Sequence, residues 1–196
     1  MKAPESVVLE GKHVRLEPLA EGHRDDLVAA ASEDPAIFRF MGTNIAAHGW
    51  DAWLREALDG VADGRYIAWA TVERGSGRAI GSTRFGDIAP EHGRLEIGWT
   101  WIAPSYQRTA VNSEAKLLQL RYAFDELGAT RVALKTDARN QRSQAAIERL
   151  GAVREGVLRR HIRLPDGFTR DTVYYSILSD EWPVVKDQLE ARLSRG

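Results

Sequence analysis

The sequence predicts an α/β fold with a mixed sheet, formed as one domain over residues 1–196. Short runs of alternating apolar and polar residues, bounded by turn signals, predict strands. Runs with apolar residues three and four positions apart predict helices. The order is strand, helices, antiparallel strands, and then strand–helix–strand–helix–strands. No repeat, low-complexity tract or linker interrupts this order, and 196 residues fit one domain.

The N-terminal third is predicted to hold one strand and two helices. Val14–Leu16 alternates as a strand does and stops at Pro18, and Glu21–Ala31 has helical spacing. A second helix is predicted over His48–Leu58. The spacing of its tryptophans favours packing in the core. The alternative is a substrate pocket lined by Phe38, Trp50 or Trp53.

Three strands are predicted to follow. Tyr66–Val72 and Ala79–Ile88 form a hairpin through the Gly-Ser-Gly turn within Glu73–Arg78. A second turn at Pro90–Gly93 leads into the strand Arg94–Ile102. Strand and turn signals alternate here without a helical stretch, so this region is predicted to be antiparallel.

The segment Tyr106–Gly128 is predicted to be a polar loop that runs into an amphipathic helix. Asn112 or Ser113 is the expected cap, and Gly128 ends the helix. One face is predicted to be buried because Leu117, Leu120, Phe124 and Leu127 recur at helical spacing. A strand, a loop with free amides and a helix N-terminus together suit an anion such as phosphate. An ordinary capped helix is the alternative.

The C-terminal third is predicted to be a strand, a helix, a hairpin and a last helix. The strand is Val132–Thr136, and the helix Ser143–Leu150 stops at Gly151. The hairpin joins Val153–Arg163 to Thr169–Leu178 across an Asp-Gly turn. Asp180 is the expected cap of the last helix, which has Trp182-Pro183 in its first turn.

Composition excludes several classes of function. The chain has 27 basic and 28 acidic residues, so no global field favours nucleic acid. It has no cysteine, which excludes disulfides, thiolate metal sites and a cysteine nucleophile. Four histidines are not spaced as metal ligands are, so no metal is expected; they are His13, His23, His48 and His92. Without a long apolar run or a signal peptide, we expect a soluble cytoplasmic protein with no membrane partner.

Four sequence features together resemble the GNAT family of acetyl-CoA-dependent N-acetyltransferases. They are HVRLEPL near the N-terminus, EIGW in a strand, PSYQRTAVNSEA after that strand, and TDARNQRSQAAIERLGA further on. The resemblance runs from Val14 to about Leu178 and is greatest to the RimJ/RimL-type branch, which acetylates N-termini of ribosomal proteins. Each motif alone is weak, and the combination in this order is specific.

The resemblance implies a twisted, mostly antiparallel sheet that splays between two parallel central strands, 94–102 and 132–136, with helices on both faces. The pantetheine arm of acetyl-CoA would lie in the split, and the pyrophosphate would meet the loop. The implied coenzyme-binding residues are Trp101, Ile102, Ala103, Gln107, Arg108, Thr109, Ala110, Val111, Asn112, Ser113, Asn140 and Ser143.

The sequence departs from the family pattern at three positions. In the phosphate loop, Ala110 stands where glycine is usual in the family, and Asn112 stands where glycine or alanine is usual. Glycine matters where backbone approaches a ligand or adopts positive φ. Ala110 adds only a methyl group, and Asn112 tolerates left-handed geometry. Ile147 stands where many members have a tyrosine that protonates the leaving thiolate, so Ser143 or water would serve.

Glu96 and Ser143 are the candidate catalytic residues. Transfer to an amine requires a base, and Glu96 lies mid-strand, where the family often has a carboxylate. Strict alternation would place Glu96 on one face with Gly98, Thr100 and Ile102. A solvated or salt-bridged carboxylate is the alternative role for Glu96. Asn140 and Ser143 have the spacing of a cap and its third residue, which is compatible with coenzyme contact.

Two features near the last hairpin remain open. His161 has an ordinary pKa suited to proton exchange, although a surface or structural role is favoured. The basic run Arg159–Arg163 suits an acidic substrate or the 3′-phosphate of the coenzyme, and a solvated face is the favoured alternative.

We therefore expect an N-acetyltransferase that moves an acetyl group from acetyl-CoA to a primary amine by direct attack in a ternary complex. The amine is a protein N-terminus or a small molecule such as a polyamine, amino acid or antibiotic. The alternatives are an acyl-CoA-binding or protein-interaction module without catalysis, and a plain structural domain. A homodimer supported by exposed tryptophans is a further expectation.

Overall fold

The computed structural model describes residues 1–42 and 49–194. Its strands form one mixed sheet of eight strands in the order β1-β2-β3-β4-β5-β6-β8-β7. The strands are β1 (Leu9–Glu10), β2 (Val14–Pro18), β3 (Ile67–Glu73), β4 (Ala79–Ala89), β5 (Arg94–Ile102), β6 (Arg131–Asp137), β7 (Val153–Arg163) and β8 (Thr169–Leu178). The strands and hairpins predicted from alternation are all present, and the short β1 is an addition to them.

The sheet opens at its centre, between β5 and β6. These neighbours are parallel. Their pairing begins where Arg94 lies opposite Arg131 and ends where Glu96 lies opposite Ala133. The remaining pairs of neighbouring strands are antiparallel. Beyond Glu96 the two central strands diverge, which exposes backbone groups along both inner edges. The predicted splay is confirmed.

Helices cover both faces of this sheet. They are α1 (Arg24–Ser32), α2 (Trp50–Ala62), α3 (Ala110–Arg121), α4 (Gln141–Glu148) and α5 (Trp182–Leu193). A turn of π-helix, Tyr122–Glu126, extends α3 toward Gly128. The predicted helix over His48–Leu58 begins at Trp50 in the described chain, and His48 lies outside the described residues.

Two predicted helix starts were wrong. α1 begins at Arg24, after a 3-10 turn over Glu21–His23. Asp180 does not cap α5, because the residue before this helix is Glu181, whose carboxylate accepts the Leu178 N–H at 2.8 Å. Pro183 lies in the first turn, as predicted.

A β-bulge in β5 changes which side chains share a face. Ser82 on β4 pairs with Trp101 and Arg84 pairs with Gly98, so Trp99 and Thr100 together oppose Thr83. Trp99 has a φ of 52°. One extra residue reverses the alternation that follows it. The prediction that Glu96 and Thr100 share a face was therefore wrong.

Contacts locate the two faces of β5. Trp101 packs edge-on against Phe38 and Trp53, with ring centroids 5.3 and 6.2 Å apart, on the side of α1 and α2. Thr100 points the other way, toward α3, where its hydroxyl lies 2.7 Å from Lys116. We call the first side the α2 face and the second the α3 face.

The aromatic residues of the α2 face are part of the core. Phe38 and Trp53 are buried and Trp50 is half-buried. This confirms the core interpretation over the substrate pocket. The expected exposed tryptophans are absent from the described residues, because Trp69, Trp101 and Trp182 are buried and Trp99 is half-buried.

Candidate active site

The proposed coenzyme loop lies between the end of β5 and the start of α3, as expected. Thr109, rather than the predicted Asn112 or Ser113, caps the helix. Its backbone is extended, and its hydroxyl accepts the Val111 N–H at 3.3 Å. The same hydroxyl donates to the Tyr106 carbonyl at 2.7 Å. First-turn amides such as those of Ala110 and Asn112 have no intrahelical acceptor, so they are available to an anion.

The loop meets its conformational demands without glycine. The positive φ is at Arg108, at 64°, and not at Ala110 or Asn112, which lie in the first turn of α3. The Asn112 side chain is half-buried and the Arg108 side chain is exposed. The methyl group of Ala110 thus costs no left-handed strain, and the exposed guanidinium of Arg108 adds positive charge beside the helix N-terminus.

Gln107 of the loop connects the end of β5 to α4. Its amide nitrogen donates to the Ile102 carbonyl at 2.9 Å, and its amide oxygen accepts from Arg142 of α4 at 2.8 Å. The Ala103 N–H is bonded to the Ile80 carbonyl of β4 at 2.8 Å. Of the strand segment Trp101–Ala103, the Ile102 carbonyl and the Ala103 amide therefore have partners within the protein.

The start of α4 combines two of the predicted site residues. Asn140 is the N-cap, and its side-chain oxygen accepts the Ser143 N–H at 3.1 Å. The capping role predicted for this pair is confirmed. Both side chains are half-buried. Ile147, one helical turn beyond Ser143, is buried in the core and offers no acid.

Glu96 lies at the point where β5 and β6 separate. It is 3% exposed, and Lys135 of β6 donates to its carboxylate at 2.7 Å. Burial raises the pKa of Glu96 above its ordinary value, and the Lys135 ammonium opposes that rise. A raised pKa brings a carboxylate nearer to the range that suits a general base. The alternative role predicted for Glu96, a salt-bridged carboxylate, is therefore also present, since Glu96 is paired with Lys135.

Aromatic rings surround the Lys135 ammonium. Its nitrogen lies 6.0 Å from the Trp99 ring centre and 5.9 Å from that of Tyr174. His161 packs edge-on against Tyr174 at 5.7 Å and is exposed, consistent with the favoured surface role. Partial desolvation by its neighbours and the nearby Lys135 and Arg170 cations lower the pKa of His161. The α2 face thus holds an ammonium, a carboxylate and rings at the mouth of the split.

Arg84 is a second cation on the α2 face, and unlike Lys135 it is fully buried. It is 0% exposed, and one of its terminal nitrogens donates to Glu56 at 2.8 Å. Its guanidinium lies 5.0 Å from the Tyr66 ring centre and 5.8 Å from that of Trp99. Its Nε and other terminal nitrogen lack partners within the described residues. This arrangement fixes the wall beside Glu96.

Several side chains of the site were not predicted. Lys135 was detectable, because Val132, Leu134 and Thr136 alternate with it in a run that already predicts a strand. Thr100, Lys116 and Arg84 left no such signal, since the bulge and the packing of α2 and α3 place them. Within residues 1–42 and 49–194, no group of three or more His, Cys, Asp or Glu side chains is arranged to hold a metal ion. No helix in that part of the chain has the length and apolar character needed to cross a membrane.

Comparison with known proteins agrees with this geometry. The family model described as an acetyltransferase (GNAT) domain matches residues 13–153. The curated relative named "Putative ribosomal N-acetyltransferase YdaF", from Bacillus subtilis (strain 168), is 37% identical over 89 residues, or 45% of this chain and 48% of that protein. YoaA of the same organism, named an uncharacterized N-acetyltransferase, is 32% identical over 114 residues, or 58% of this chain and 63% of that protein. The matches thus span about half to just under two thirds of these relatives.

Solved structures match nearly the whole chain. A GCN5-related N-acetyltransferase from Brucella melitensis is 33% identical, with a TM-score of 0.91 over 97% of this chain and 87% of the other. Mycobacterium smegmatis RimJ, solved in complex with CoA-disulfide, has a TM-score of 0.72 at 20% identity over 91% of this chain and 88% of that one, and shares the fold. The central split, the loop before α3 and the family model together lead to one conclusion. The chain belongs to the GNAT acetyltransferase family.

Proposed function

We propose that this protein is an acetyl-CoA-dependent N-acetyltransferase that transfers an acetyl group to a primary amine by direct attack. We propose further that residues 1–196 act as one domain. The observation that carries the proposal is the position of Glu96. It is a buried carboxylate at the point where β5 and β6 part, on the strand that leads through the loop into α3.

The residues fit the coenzyme in two places. The first-turn amides of α3, with Arg108 beside them, would hold the pyrophosphate through charge-assisted hydrogen bonds. The unpaired inner edge of β5 beyond Glu96 would hold the pantetheine arm, with Asn140 and Ser143 on the opposite wall. Acetyl-CoA supplies the activated acetyl group as a thioester.

Glu96 is the proposed base. An acceptor ammonium that replaces or joins Lys135 beside the carboxylate would lose its proton to Glu96, directly or through water. The neutral nitrogen then forms its bond to the acetyl carbon as the carbon–sulfur bond breaks, and it gives its remaining excess proton to water. A backbone N–H of the unpaired β5 segment would donate to the developing oxyanion.

A protein N-terminus is the proposed acceptor. YdaF is named as a ribosomal N-acetyltransferase, and the mouth of the split on the α2 face is lined by Trp99, Tyr174 and Lys135. An aromatic wall with a carboxylate behind it suits an ammonium at the end of a chain. Small amines such as polyamines share this chemistry and belong in the test.

The test is release of free CoA from acetyl-CoA in the presence of amines. The chain has no cysteine, so a thiol reagent reports CoA without a protein background. Peptides with a free N-terminus are compared with the same peptides blocked there, and with polyamines, amino acids and aminoglycosides. We expect turnover that depends on the free N-terminus, with the acetyl group located by mass spectrometry. Acetyl-CoA binding without turnover on any amine would contradict the proposal and favour a binding module.

A further inference from the structure

Lys116 of α3 is a buried cation on the α3 face, below the bulged part of β5. It is 4% exposed. Its ammonium lies 3.0 Å from the Thr83 hydroxyl, 2.7 Å from the Thr100 hydroxyl and 2.8 Å from the side-chain oxygen of Gln119. An ammonium has three donors, and these three acceptors match them.

The partners of Lys116 are neutral. The charged side chains of α3 nearest in sequence to Lys116 have other partners. Glu114 accepts the amides of Lys12, His13 and Val14 before and within β2, and Arg121 pairs with Glu190 of α5. With no counter-charge in contact, burial lowers the pKa of Lys116 to about 7. Both protonation states are therefore accessible near neutral pH.

The members of this network differ in their access to the split. Thr83 is 1% exposed and Gln119 is fully buried, whereas Thr100 is half-buried. Thr100 also lies beyond Glu96, in the segment of β5 that no longer pairs with β6. The Thr83 and Thr100 hydroxyls are 2.7 Å apart. Of Thr83, Thr100 and Gln119, Thr100 is thus the one that is partly exposed and that lies on the segment of β5 bordering the split.

Acetyl transfer leaves a thiolate, which requires a proton because an ordinary thiol has a pKa of about 8.5. Ile147 of α4, the position at which the family resemblance implies an acid, is a buried aliphatic side chain and cannot supply this proton. We propose that Thr100 gives its hydroxyl proton to the departing CoA sulfur and that Lys116 replaces that proton. This inference rests on the proposed acetyl transfer.

The proton balance of this step is closed. As the nitrogen–carbon bond forms and the carbon–sulfur bond breaks, the nitrogen gives its second proton to water, the sulfur takes a proton from Thr100, and Thr100 takes one from Lys116. Lys116 is left neutral and regains a proton from solvent when CoA leaves, while Glu96 releases the proton taken from the amine. Thr100 is the catalytic residue in this step, and Lys116 is a positioning residue that acts through it.

The test compares pH profiles of single-turnover acetyl transfer in the wild type and four variants. Because the relay needs protonated Lys116, the wild-type rate is expected to fall as pH rises through about 7. K116M and T100V should lose about 10²-fold in rate at pH 6 and lack this alkaline limb. T100S, which keeps the hydroxyl, should retain both the rate at pH 6 and the fall in rate at alkaline pH. T83V, which removes a neighbouring hydroxyl that does not reach the split, should keep the limb.

Each outcome decides the inference. Loss of the limb in K116M and T100V, with acetyl-CoA affinity unchanged by calorimetry, supports the relay. Wild-type profiles in either variant, or equal losses in T83V and T100V, overturn it and leave the proposed function intact. Absence of wild-type turnover on every amine overturns both proposals together.

Discussion

The two faces of β5 each hold a lysine ammonium close to the proposed reaction site, but the partners of these ammonium groups differ. On the α2 face, Lys135 is paired with the Glu96 carboxylate at 2.7 Å. On the α3 face, Lys116 meets two hydroxyls and an amide oxygen, with no carboxylate in contact. The two side chains also differ in burial, since Lys116 is 4% exposed and the side chain of Lys135 is 23% exposed.

This difference shows how partners and burial divide the proton chemistry. A counter-charge favours ionisation of both members of a pair, so Lys135 opposes the rise that burial imposes on the pKa of Glu96. Neutral acceptors satisfy an ammonium without balancing its charge, so burial dominates and brings the pKa of Lys116 to about 7. In the proposed mechanism, the α2 face accepts a proton and the α3 face releases one.

The largest expected effect comes from breaking the α2 face at its carboxylate. E96Q keeps the shape of the side chain but cannot accept a proton from the amine. We expect kcat for acetyl transfer to fall by about 10²–10⁴-fold, the range typical of general acid–base catalysis. Steady-state kinetics measures the loss, and unchanged binding of acetyl-CoA by calorimetry serves as the control. Turnover at the wild-type rate would contradict the role of Glu96.

A second experiment tests the α3 face through stability. The pKa of Lys116 is depressed in the folded state, so the unfolded chain binds more protons between about pH 7 and pH 10. Wild-type stability should therefore gain up to about 1.4 kcal/mol per pH unit over this window relative to K116M.

Urea unfolding of both proteins at pH 7, 8 and 9 measures this difference, in which the contributions of other titrating groups cancel. K116M also removes a buried charge that has no counter-ion, so it is expected to fold. Parallel stability curves for the two proteins would show that Lys116 does not titrate in this range.

The wall of the α2 face can be distorted with a single methyl group. A Cβ at Gly86 of β4 would lie 2.5 Å from the Trp99 ring, whereas one at Gly156 of β7 would meet nothing within 4 Å. G86A should therefore destabilise the fold by about 1–3 kcal/mol and raise KM for the amine. G156A is the matched control. Equal stability of the two variants in urea would contradict the close packing of Trp99 on β4.

The smallest expected effect is a shift in a pH profile. Without the Lys135 ammonium, the pKa of Glu96 should rise further, since only the weaker influence of Arg170 would then oppose the effect of burial. The base must be ionised, and activity is lost as pH falls through its pKa. The acidic limb of kcat/KM should therefore move to higher pH in K135M. K186M, which removes a lysine paired with Asp125, is the control. Identical acidic limbs in K135M and the wild type would show that Lys135 does not act on Glu96.

The sequence predicted the elements of the proposed coenzyme half of the site better than the contacts beside it. The strand 94–102, the following loop and helix, and the Asn140–Ser143 cap depend on local signals, and the structure has them in place. Errors within this half were also local. Thr109 caps α3 instead of Asn112 or Ser113, because the chain stays extended through Thr109 and turns helical at Ala110.

The faces of β5 could not be predicted in the same way. Alternation assigns faces only while the register is unbroken, and the bulge at Trp99 and Thr100 breaks it. Bulges arise from pairing with another strand, so the residues of β5 alone give no sign of one. The pairing of Glu96 with Lys135 joins residues that are distant in the chain, and it exists because β5 and β6 lie side by side.

By itself, the sequence determined the order of elements, the loop and helix start that we propose for an anion, and the family, because periodicity, caps and motif order are written in neighbouring residues. The tertiary structure decided which charges meet. It placed Lys135 against Glu96 and left Lys116 among neutral acceptors, since burial and ion pairing depend on what folds on top of each strand. Those contacts set the proton affinities from which the proposed chemistry follows.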